Sequence, residues 1–599
     1  MKEFVKMVLA VLCALFIAGI LCFLLTLGMI GSMAAMGSAK PVLPRNGVLD
    51  LNMADFVLGE QTQDDPMASL AAVNPLANGD ATATIGLHDA VLALEAAAAD
   101  PSVKYIFLRP DGVSSGVALT QEFRTALEEF RKSGKAVVAY IESPSTTSYF
   151  LASAADKIYM SSMHGGQPMI VGLAGQMMFL KDLLDKLGVN VQLIRHGKYK
   201  SAGEMFIKNQ ASPENLEQNQ VMVDGMWNSL VAPMAEARGL TAEQFNALVD
   251  GLALNFPEDF IEHNLVDALL NRDELIQKLC DLAVVEKKED LHLVGFAEYV
   301  NAKVTGAVPS KVKSSVAVIY AEGDIVEGDG EKGVAGDRFA RIIEKVRKDE
   351  NVKAVVLRVN SPGGSVSASS KIKVALDSLM AYKPVVASYG DYAASGGYWI
   401  SANTQHIFSD PGTLTGSIGV FSMIPDFSKT AKNLAHVNVT MVKSNRHSDM
   451  FSMMRPLDAE ETAYMQASVE DIYEQFVNLV STGRNLTPER VDEIAQGRVW
   501  TGTDALGIGL VDEIGTLEQA IVYAASLAGL DYKEDYKVEA WPKPKDTMTS
   551  LLELLGSQRQ EKEILAGTPF SGMESAVKAL LANEPSKVYA RLPYSIDIR

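Results

Sequence analysis

Residues 391–400 read Asp-Tyr-Ala-Ala-Ser-Gly-Gly-Tyr-Trp-Ile, with Ser395 at the centre of the run. The apolar stretch 384–389 before it is typical of a strand, and the residues after it can start a helix. A serine on such a strand-to-helix turn is held rigidly beside the free N–H groups of the helix N-terminus. An acyl-transferring nucleophile needs this arrangement, although Ala-Ser-Gly-Gly taken alone is more typical of a tight packing turn.

A second glycine-rich turn precedes this serine. Residues 354–365 read Ala-Val-Val-Leu-Arg-Val-Asn-Ser-Pro-Gly-Gly-Ser, which is a buried type of strand followed by a Pro-Gly-Gly turn. The N–H groups of such a turn can point at one spot. One donor from this turn, Gly363, together with the N–H of Gly396 would make an oxyanion hole.

Three segments in this order resemble a known family. Asn-Ser-Pro-Gly-Gly at 360–364, Ala-Ala-Ser-Gly-Gly-Tyr at 393–398 and Leu-Thr-Gly-Ser-Ile-Gly at 414–419 are similar to the long-form signal peptide peptidase A family, also called protease IV. The resemblance covers most of the chain beyond the N-terminal apolar run and fades after Trp541. It implies a serine peptidase with an α/β fold distantly related to Clp protease and the crotonases.

Bulk composition limits the possible functions. A chain of 599 residues with 48% hydrophobic residues is expected to form two or more folded domains. The formal net charge of −20 argues against nucleic acid as a partner. Of three cysteines only Cys280 lies outside the apolar N-terminal run, and the eight histidines are dispersed, so we expect no disulfide framework, no metal and no cofactor.

The N-terminal apolar run predicts a membrane anchor. Residues 7–36 contain no charged residue, which is enough to span a bilayer as a helix. Lys2 and Lys6 precede the run, so the positive-inside rule leaves the N-terminus in the cytoplasm. A cleaved signal peptide is the alternative, but its apolar core is usually shorter. We therefore expect a single-pass protein with its body outside the cytoplasm, and the family resemblance implies the bacterial inner membrane with the body on the periplasmic side.

The sequence after the N-terminal run contains an internal repeat. Val103–Arg109 recurs at 352–358, an offset of 249, and Lys-Ala-Val-Val-Ala at 135–139 recurs as Lys-Pro-Val-Val-Ala at 383–387, an offset of 248. Strand-like runs alternate with helical stretches such as 119–132 and 367–381, which indicates βαβ units. We expect a tandem duplication of a Clp-protease/crotonase-like α/β domain, with segments 1–38 (anchor), 39–310 (first repeat), 311–545 (second repeat) and 546–599 (C-terminal tail).

The two copies differ where the chemistry would lie. By the 249 offset Ser395 corresponds to Thr146, and the Pro-Gly-Gly turn corresponds to Val-Ser-Ser at 113–115. The first repeat therefore lacks both the serine and the glycine turn. Unless the first repeat contributes another residue to the site, we expect it to serve only as a scaffold.

Lys200 is that further residue. It lies in a Tyr-Lys-Ser-Ala run at 199–202, and in the long-form family this run holds the general-base lysine. The corresponding residue of the second half is Ser448, and an ordinary surface lysine is the alternative interpretation. A lysine has a pKa of roughly 10.4 in water and becomes a usable base when burial lowers it. The resemblance also implies that the hydroxyl of Ser417 orients this lysine.

The resemblance implies a membrane-anchored serine endopeptidase with a Ser395–Lys200 dyad. It implies hydrophobic peptides, such as remnants of cleaved signal peptides, as substrates at the membrane surface, and a homotetramer. A crotonase-like acyl-CoA enzyme and a non-catalytic membrane scaffold are the competing hypotheses. The anchor and Lys200 count against the first, and the intact site residues count against the second. The tail after Trp541 is equally compatible with a subunit contact and with a solvent-exposed helix.

Overall fold

The computed structural model of the chain describes residues 17, 19–20, 47–63, 83–305, 311–543 and 587–592. Strands of the first half are β1 (Gly47–Asn52), β2 (Phe56–Gly59), β3 (Ala83–Gly86), β4 (Val103–Arg109), β5 (Val137–Ile141), β6 (Lys157–Ser161), β7 (Asn190–Arg195), β8 (Ala268–Leu270) and β9 (Leu293–Gly295). Its α-helices are α1 (Leu87–Ala99), α2 (Val117–Arg131), α3 (Thr146–Ala152), α4 (Lys181–Lys186), α5 (Glu204–Ile207), α6 (Pro213–Ala237), α7 (Ala242–Asp250), α8 (Pro257–Glu262), α9 (Arg272–Ala283) and α10 (Phe296–Val300).

The second half repeats the alternation of strands and helices. Its strands are β10 (Ser315–Glu322), β11 (Ile325–Val326), β12 (Val334–Ala335), β13 (Val352–Ser361), β14 (Gly363–Ser365), β15 (Val385–Ala394), β16 (His406–Ser409), β17 (Leu414–Gly416), β18 (Phe421–Asp426), β19 (Val499–Thr501), β20 (Glu513–Ile514), β21 (Lys537–Trp541) and β22 (Tyr589–Arg591). Its α-helices are α11 (Gly336–Lys348), α12 (Val366–Met380), α13 (Gly396–Ser401), α14 (Ala459–Arg484), α15 (Pro488–Ile494), α16 (Gly502–Gly507) and α17 (Leu517–Leu527). Short 3₁₀ or π turns occupy Lys288–Asp290, Asn301–Thr305, Thr430–Leu434 and Lys533–Asp535.

The two halves contain sheets with the same strand order. The first sheet runs β8–β6–β5–β4–β1–β9, with every neighbouring pair parallel. The second contains the equivalent parallel series β20–β16–β15–β13–β10–β21, to which β17 and β19 are added beside β15. Equivalent tyrosines also make equivalent bonds, because the hydroxyls of Tyr149 and Tyr398 donate to the carbonyls of Leu265 and Leu510. The predicted α/β duplication is confirmed.

Nearly continuous apolar strands form the centre of each sheet. All but the second of the first eight residues of β13 are buried, and all eight residues of β10 except the last are buried. This pattern is typical of parallel sheets covered by helices on both faces. Helices α2 and α12 begin and end within two residues of the predicted stretches 119–132 and 367–381.

A third sheet joins the two halves and contains part of the tail. Its order is β12–β11–β14–β22–β18–β7, so β7 of the first half pairs antiparallel with β18 of the second. Strand β22 lies between β14 and β18 and pairs antiparallel with both. Neither alternative for the tail included this strand, because three residues paired by backbone hydrogen bonds leave no periodic pattern in the sequence.

A buried ion cluster also links the halves. Arg358 on β13 donates through Nε to Glu60 at 2.8 Å and through Nη2 to Glu122 at 2.6 Å, and all three side chains are at most 2% exposed. Its third nitrogen donates to Ser388 and to the carbonyl of Tyr389. Burial alone would lower the pKa of Arg358, but the two carboxylates raise it above its usual value. The guanidinium therefore holds two carboxylates of the first half against the central sheet of the second.

The predicted anchor lies almost wholly outside the described residues. Of segment 1–38 the structure describes only Ile17, Gly19 and Ile20. Within the part of the chain that is described, no helix has the combined length and hydropathy needed to cross a bilayer.

We predict that Arg358→Met lowers the free energy of unfolding by about 3–5 kcal/mol, because it leaves two buried carboxylates without their cation. The matched control is Arg109→Met, the equivalent residue of the first repeat. Arg109 is 38% exposed and pairs with Asp50, so its loss is expected to cost about 1 kcal/mol or less. Urea denaturation of both variants measures the difference. Equal effects would contradict a special role for the Arg358 cluster.

Candidate active site

The turn that carries Ser395 is strained in a way that its first-repeat equivalent is not. Ser395 follows β15 and immediately precedes α13, with φ 56° and ψ −110°, and it is fully buried. A positive φ is uncommon for a residue with a Cβ and persists only where surrounding structure holds it. At the start of the equivalent helix α3, Ser145 has an ordinary φ of −99° and caps the helix through Ser148. The second repeat alone keeps the strained serine turn.

The structure brings Lys200 and Ser417 to this serine. Lys200 Nζ lies 2.9 Å from Ser395 Oγ and 2.9 Å from Ser417 Oγ, and it also donates to the Ser417 carbonyl at 3.1 Å. All three residues are 0% exposed. The backbone of the serine turn is also bonded to the end of β17, which directly precedes Ser417, since Ser395 N donates to the carbonyl of Gly416 at 2.8 Å. Residues 195 positions apart in the sequence thus meet in one hydrogen-bonded group.

The surroundings of Lys200 determine its charge state. Its amine hydrogen-bonds to neutral oxygens, and no ion pair involving it is found among the described residues. Burial lowers the pKa of the Lys200 amine well below its usual value. A neutral amine can accept a proton from a neighbouring hydroxyl, whereas an ammonium cannot.

The loop that carries Lys200 is docked onto the second repeat. Tyr199 N donates to the carbonyl of Gln496, and Arg498 lies over the Tyr199 ring at 4.8 Å. Gln218 on α6 bonds to both repeats: its side chain donates to the Tyr199 carbonyl of the first repeat and accepts from Val499 N of the second. The position of the Lys200 amine therefore depends on contacts between the repeats.

Gly497 makes room for this docking. It has φ +78°, and a Cβ added there would lie 2.6 Å from both the Cβ and the backbone N of Lys200. Gly419 also lies close to both residues: a Cβ added there would be 2.8 Å from the Gly497 backbone and 3.3 Å from Lys200 Cδ. Two glycines that the sequence analysis did not single out as site residues are thus required for the close approach of the lysine.

The Pro-Gly-Gly turn lies beside the start of α13. Gly363 and Gly364 have φ +98° and +159°, and a Cβ added at Gly363 would lie 2.7 Å from Gly396 N. The N–H of Gly363 donates to Ser361 Oγ at 3.2 Å. A Cβ added at Gly396 would lie 3.1 Å from Gly364 N. The two predicted glycines are therefore adjacent, and Gly364, which was not predicted, contributes a second amide at the same place.

Asn360 and Asp391, to which the sequence analysis assigned no role, lie at the contact between the repeats. Asp391 accepts from the N–H of Ala118 at the start of α2, and Asn360 donates to Glu60 and accepts from Tyr392 N. Burial raises the pKa of Asp391 to about 6. Both side chains hold the end of β15 against the first repeat.

Two other groups in the second repeat have no contact with the dyad. Lys443, the most obvious alternative base, donates to Asp449 and to the carbonyl of Arg446. In the described part of the chain, His447, Asp458 and Glu461 bring possible metal ligands within 4.8 Å of one another. Both oxygens of Glu461 accept from Arg455 at 2.7 Å, and an Asp458 oxygen caps α14. These carboxylates are engaged as an ion pair and a helix cap.

Comparison with known proteins identifies the family. The profile described as "Peptidase family S49" matches residues 129–286 and 378–531, two segments whose starts are 378 − 129 = 249 positions apart. The chain belongs to peptidase family S49. The tandem S49 domains have the same spacing as the repeat found in the sequence, so the predicted family is confirmed.

Relatives of this S49 peptidase match over most of their length. "Protease 4" of Haemophilus influenzae is 34% identical over 528 residues, covering 86% of this chain and 84% of the relative. "Protease 4" of Salmonella typhi is 35% identical over 505 residues, with 82% and 80% coverage, and "Serine protease SPPA, chloroplastic" of Arabidopsis thaliana is 30% identical, with 77% and 68%. Among solved structures, a ClpP1 mutant from Listeria monocytogenes covers 34% of this chain and 94% of its own, with 14% identity and a TM-score of 0.24. That score carries no conclusion, and the relationship to Clp protease stays a prediction.

We predict that Gly497→Ala slows labelling of Ser395 by a fluorophosphonate at least about tenfold, because the new methyl group displaces Lys200 and removes its hydrogen bond to the serine. Gly529→Ala is the matched control, since Gly529 has a similar φ of +71° with no atom within 4 Å of an added Cβ. Both substitutions introduce the same left-handed strain. Equal labelling rates in the two variants would contradict a steric role for Gly497.

Proposed function

We propose that this S49 peptidase is a serine endopeptidase that uses Ser395 as nucleophile and Lys200 as general base. The observation that carries the proposal is the 2.9 Å contact between Lys200 Nζ and Ser395 Oγ in a fully buried setting. Nucleophile and base within hydrogen-bond reach, with the base oriented by a third group, are the signature of covalent catalysis. Ser417 is the third group, and its hydroxyl and carbonyl both hold the lysine amine.

In the proposed mechanism the neutral Lys200 amine takes the Ser395 proton as Oγ attacks the carbonyl carbon of a peptide bond. The tetrahedral intermediate collapses when the lysinium returns that proton to the leaving nitrogen, which leaves an ester at Ser395. Water then attacks the ester carbonyl as Lys200 accepts a proton from that water. The bond from the carbonyl carbon to Ser395 Oγ breaks as the lysinium returns the proton to Oγ, which releases the carboxyl product and restores the serine. The lysine starts and ends each half-reaction as a neutral amine.

The amides at the start of α13 and in the glycine turn would stabilise the negative oxygen. Gly396 N–H and the N–H of Gly363 are the proposed donors, and the Gly363 N–H would exchange its present acceptor, Ser361 Oγ, for the oxyanion. Gly364 N–H is the further amide beside them. Removing one donor of this kind typically costs about 2.7–4 kcal/mol of the activation barrier. Glycine suits both places, since a Cβ at Gly363 or Gly396 would come within 3.1 Å of the neighbouring backbone.

The competing hypotheses fit the site less well. A crotonase-like acyl-CoA enzyme would rely on acidic residues and not on a Ser–Lys pair. Here the amine of Lys200 contacts Ser395 Oγ, and the hydroxyl of Ser417 contacts that amine. A non-catalytic scaffold gives no reason for a lysine with a lowered pKa against a strained serine. Perturbed ionisable groups in such a setting favour a catalytic role.

The remaining parts of the proposal rest on the relatives, on the family resemblance, and on the apolar run and internal repeat of the sequence. One relative is described as "Putative signal peptide peptidase SppA", from Enterococcus faecium, and we propose hydrophobic peptides such as signal-peptide remnants as substrates here also. We further propose a single-pass anchor in segment 1–38, a periplasmic body in a bacterial inner membrane and a homotetramer. Repeats at 39–310 and 311–545 and a tail at 546–599 are the proposed domain bounds.

We predict that Ser395→Ala and Lys200→Met each lower kcat/KM for a peptide substrate by at least about 10³-fold, and that the double variant is no worse than either single one, because residues acting as a unit are non-additive. Thr146→Ala, at the equivalent position of the first repeat, and Lys443→Met are the matched controls and are expected to keep full activity. An active Lys200→Met with an inactive Lys443→Met would transfer the role of base to Lys443.

We predict that kcat/KM rises with pH through the pKa of Lys200. Only the neutral amine accepts the serine proton, so the protonated enzyme at low pH is inactive. Since burial lowers this pKa, the rise should occur well below the roughly 10.4 of an ordinary lysine. A pH–rate profile of the unmodified chain measures it. A profile with no ascending limb, or one with the same limb in Lys200→Met, would exclude Lys200 as the titrating group.

A further inference from the structure

The two segments that position the Lys200 amine both contact one arginine. Arg498 lies between the end of α15 and the start of β19, in the second repeat. Its carbonyl accepts from Ser417 N at 2.6 Å, and its guanidinium lies over the ring of Tyr199, the residue before Lys200. The backbone of Arg498 therefore contacts the residue that holds the lysine amine. Its side chain contacts the loop that carries the lysine, residues 196–203, called here the lysine loop.

The guanidinium of Arg498 contacts two aromatic rings. Its central carbon lies 4.8 Å from the centroid of the Tyr199 ring and 4.5 Å from that of the Trp500 ring. A cation over the face of Tyr or Trp is attracted by the ring, and more strongly where water is largely excluded. The Arg498 side chain is only 18% exposed. Since Tyr199 belongs to the first repeat and Trp500 to the second, the guanidinium links a ring of one repeat to a ring of the other.

Polar contacts orient the guanidinium. Nη1 of Arg498 donates to the Tyr199 hydroxyl at 3.2 Å and lies 3.0 Å from Oε1 of Glu217 on α6. The Tyr199 hydroxyl in turn donates to Glu217. Glu217 is 51% exposed, so water screens its ion pair with Arg498 and leaves it a small contribution. We therefore expect the two rings, rather than this ion pair, to supply most of the attraction.

The backbone contact supports a strained residue. Ser417 has φ 50°, which is uncommon for a residue with a Cβ and persists only where surrounding structure holds it. Its N–H is bonded to the Arg498 carbonyl, and Gly497 N donates to the carbonyl of Ile418 at 2.8 Å, so these two bonds join the two segments. Ser417 offers both its hydroxyl and its carbonyl to the lysine amine. A shift of Arg498 would consequently move both acceptors.

Charged side chains of the lysine loop and its neighbours are engaged elsewhere. Arg195 donates to the Lys200 carbonyl and pairs with Glu204, and His196 pairs with Glu470 on α14. The lysine amine itself bonds to neutral oxygens, and burial is the cause of its lowered pKa. A movement that lets water reach the amine would raise this pKa toward its usual value and reduce the neutral fraction. The position of the lysine loop thus determines how much free base is present.

We propose that Arg498 is a positioning residue of the candidate site, which holds the lysine loop of the first repeat and Ser417 of the second in the arrangement that places the Lys200 amine against Ser395. The proposal rests on the proposed function of Ser395 and Lys200, and it adds a residue that acts through them without touching a substrate. Loss of the guanidinium would release Tyr199 and the lysine that follows it. Arginine suits this role because its planar group stacks on aromatic rings and donates hydrogen bonds at the same time.

Trace acetylation of Lys200 by acetic anhydride at a series of pH values tests this proposal, with Ser395→Ala in every chain. The amine reacts only in its neutral form, so the midpoint of the profile, measured by mass spectrometry of the peptide that contains residue 200, reports its pKa without any hydrolysis. We expect Arg498→Met to shift the midpoint upward by at least about one pH unit, because water reaches the amine. Arg498→Lys keeps a cation without the planar group and should give a smaller upward shift. Circular dichroism checks the fold, and Arg498→Lys provides the test if Arg498→Met does not fold.

Arg347→Met is the matched control. Arg347 on α11 lies over the Tyr382 ring at 5.2 Å, pairs with Glu344 and is 25% exposed, so its substitution removes the same kinds of contact from another part of the second repeat. It should leave the midpoint unchanged. An unchanged midpoint in both Arg498 variants, or an equal shift in Arg347→Met, would overturn the proposal.

Hydrolysis of a reporter peptide by chains that keep Ser395 separates this role from the proposed function. We expect Arg498→Met to lower kcat about 10²-fold with little change in KM, since misplacing a catalytic group by about 1 Å can cost that much. The ascending limb of its pH–rate profile should move to higher pH. The parent kcat and limb in Arg498→Met would refute the positioning role alone. A shifted acetylation midpoint with no hydrolysis by any chain would refute the proposed function and leave the positioning of Lys200 by Arg498 standing.

Discussion

Burial of the Lys200 side chain is the constraint on which the rest of the site depends. Desolvation lowers the pKa of its amine well below the usual value, and an amine in its neutral form can both hydrogen-bond to Ser395 and accept its proton. A surface loop could not provide this environment. The burial comes from the second repeat, where Gly419 and Gly497 admit the lysine stem and Ser417 holds its amine. The candidate site of this S49 peptidase therefore forms only where the two repeats meet.

Further contacts hold the two repeats together around this site. Arg358 holds two first-repeat carboxylates, Glu60 and Glu122, in a fully buried setting, and removing one partner of such a cluster is costly. Asp391 ties the end of the serine strand to the start of α2. Strand β7, which precedes the lysine loop, pairs along its whole length with β18. Each of these contacts helps to hold the repeat that carries Lys200 against the repeat that carries Ser395.

Local patterns in the sequence were enough to predict the α/β duplication, its offset of 249, the family, and the identity of Ser395 and Lys200 as the residues to examine. They sufficed because buried strands, helices and glycine turns are determined by residues close together in the chain. The roles of Gly419 and Gly497, the Arg358 cluster and the strand at residues 589–591 could not be predicted, since each depends on contacts between segments far apart in sequence. The sequence by itself determined the family and the duplication, and it predicted which groups carry the chemistry. Only the tertiary structure decided that a lysine of one repeat is dehydrated against a serine of the other, because desolvation is a property of the packed interface and not of any residue alone.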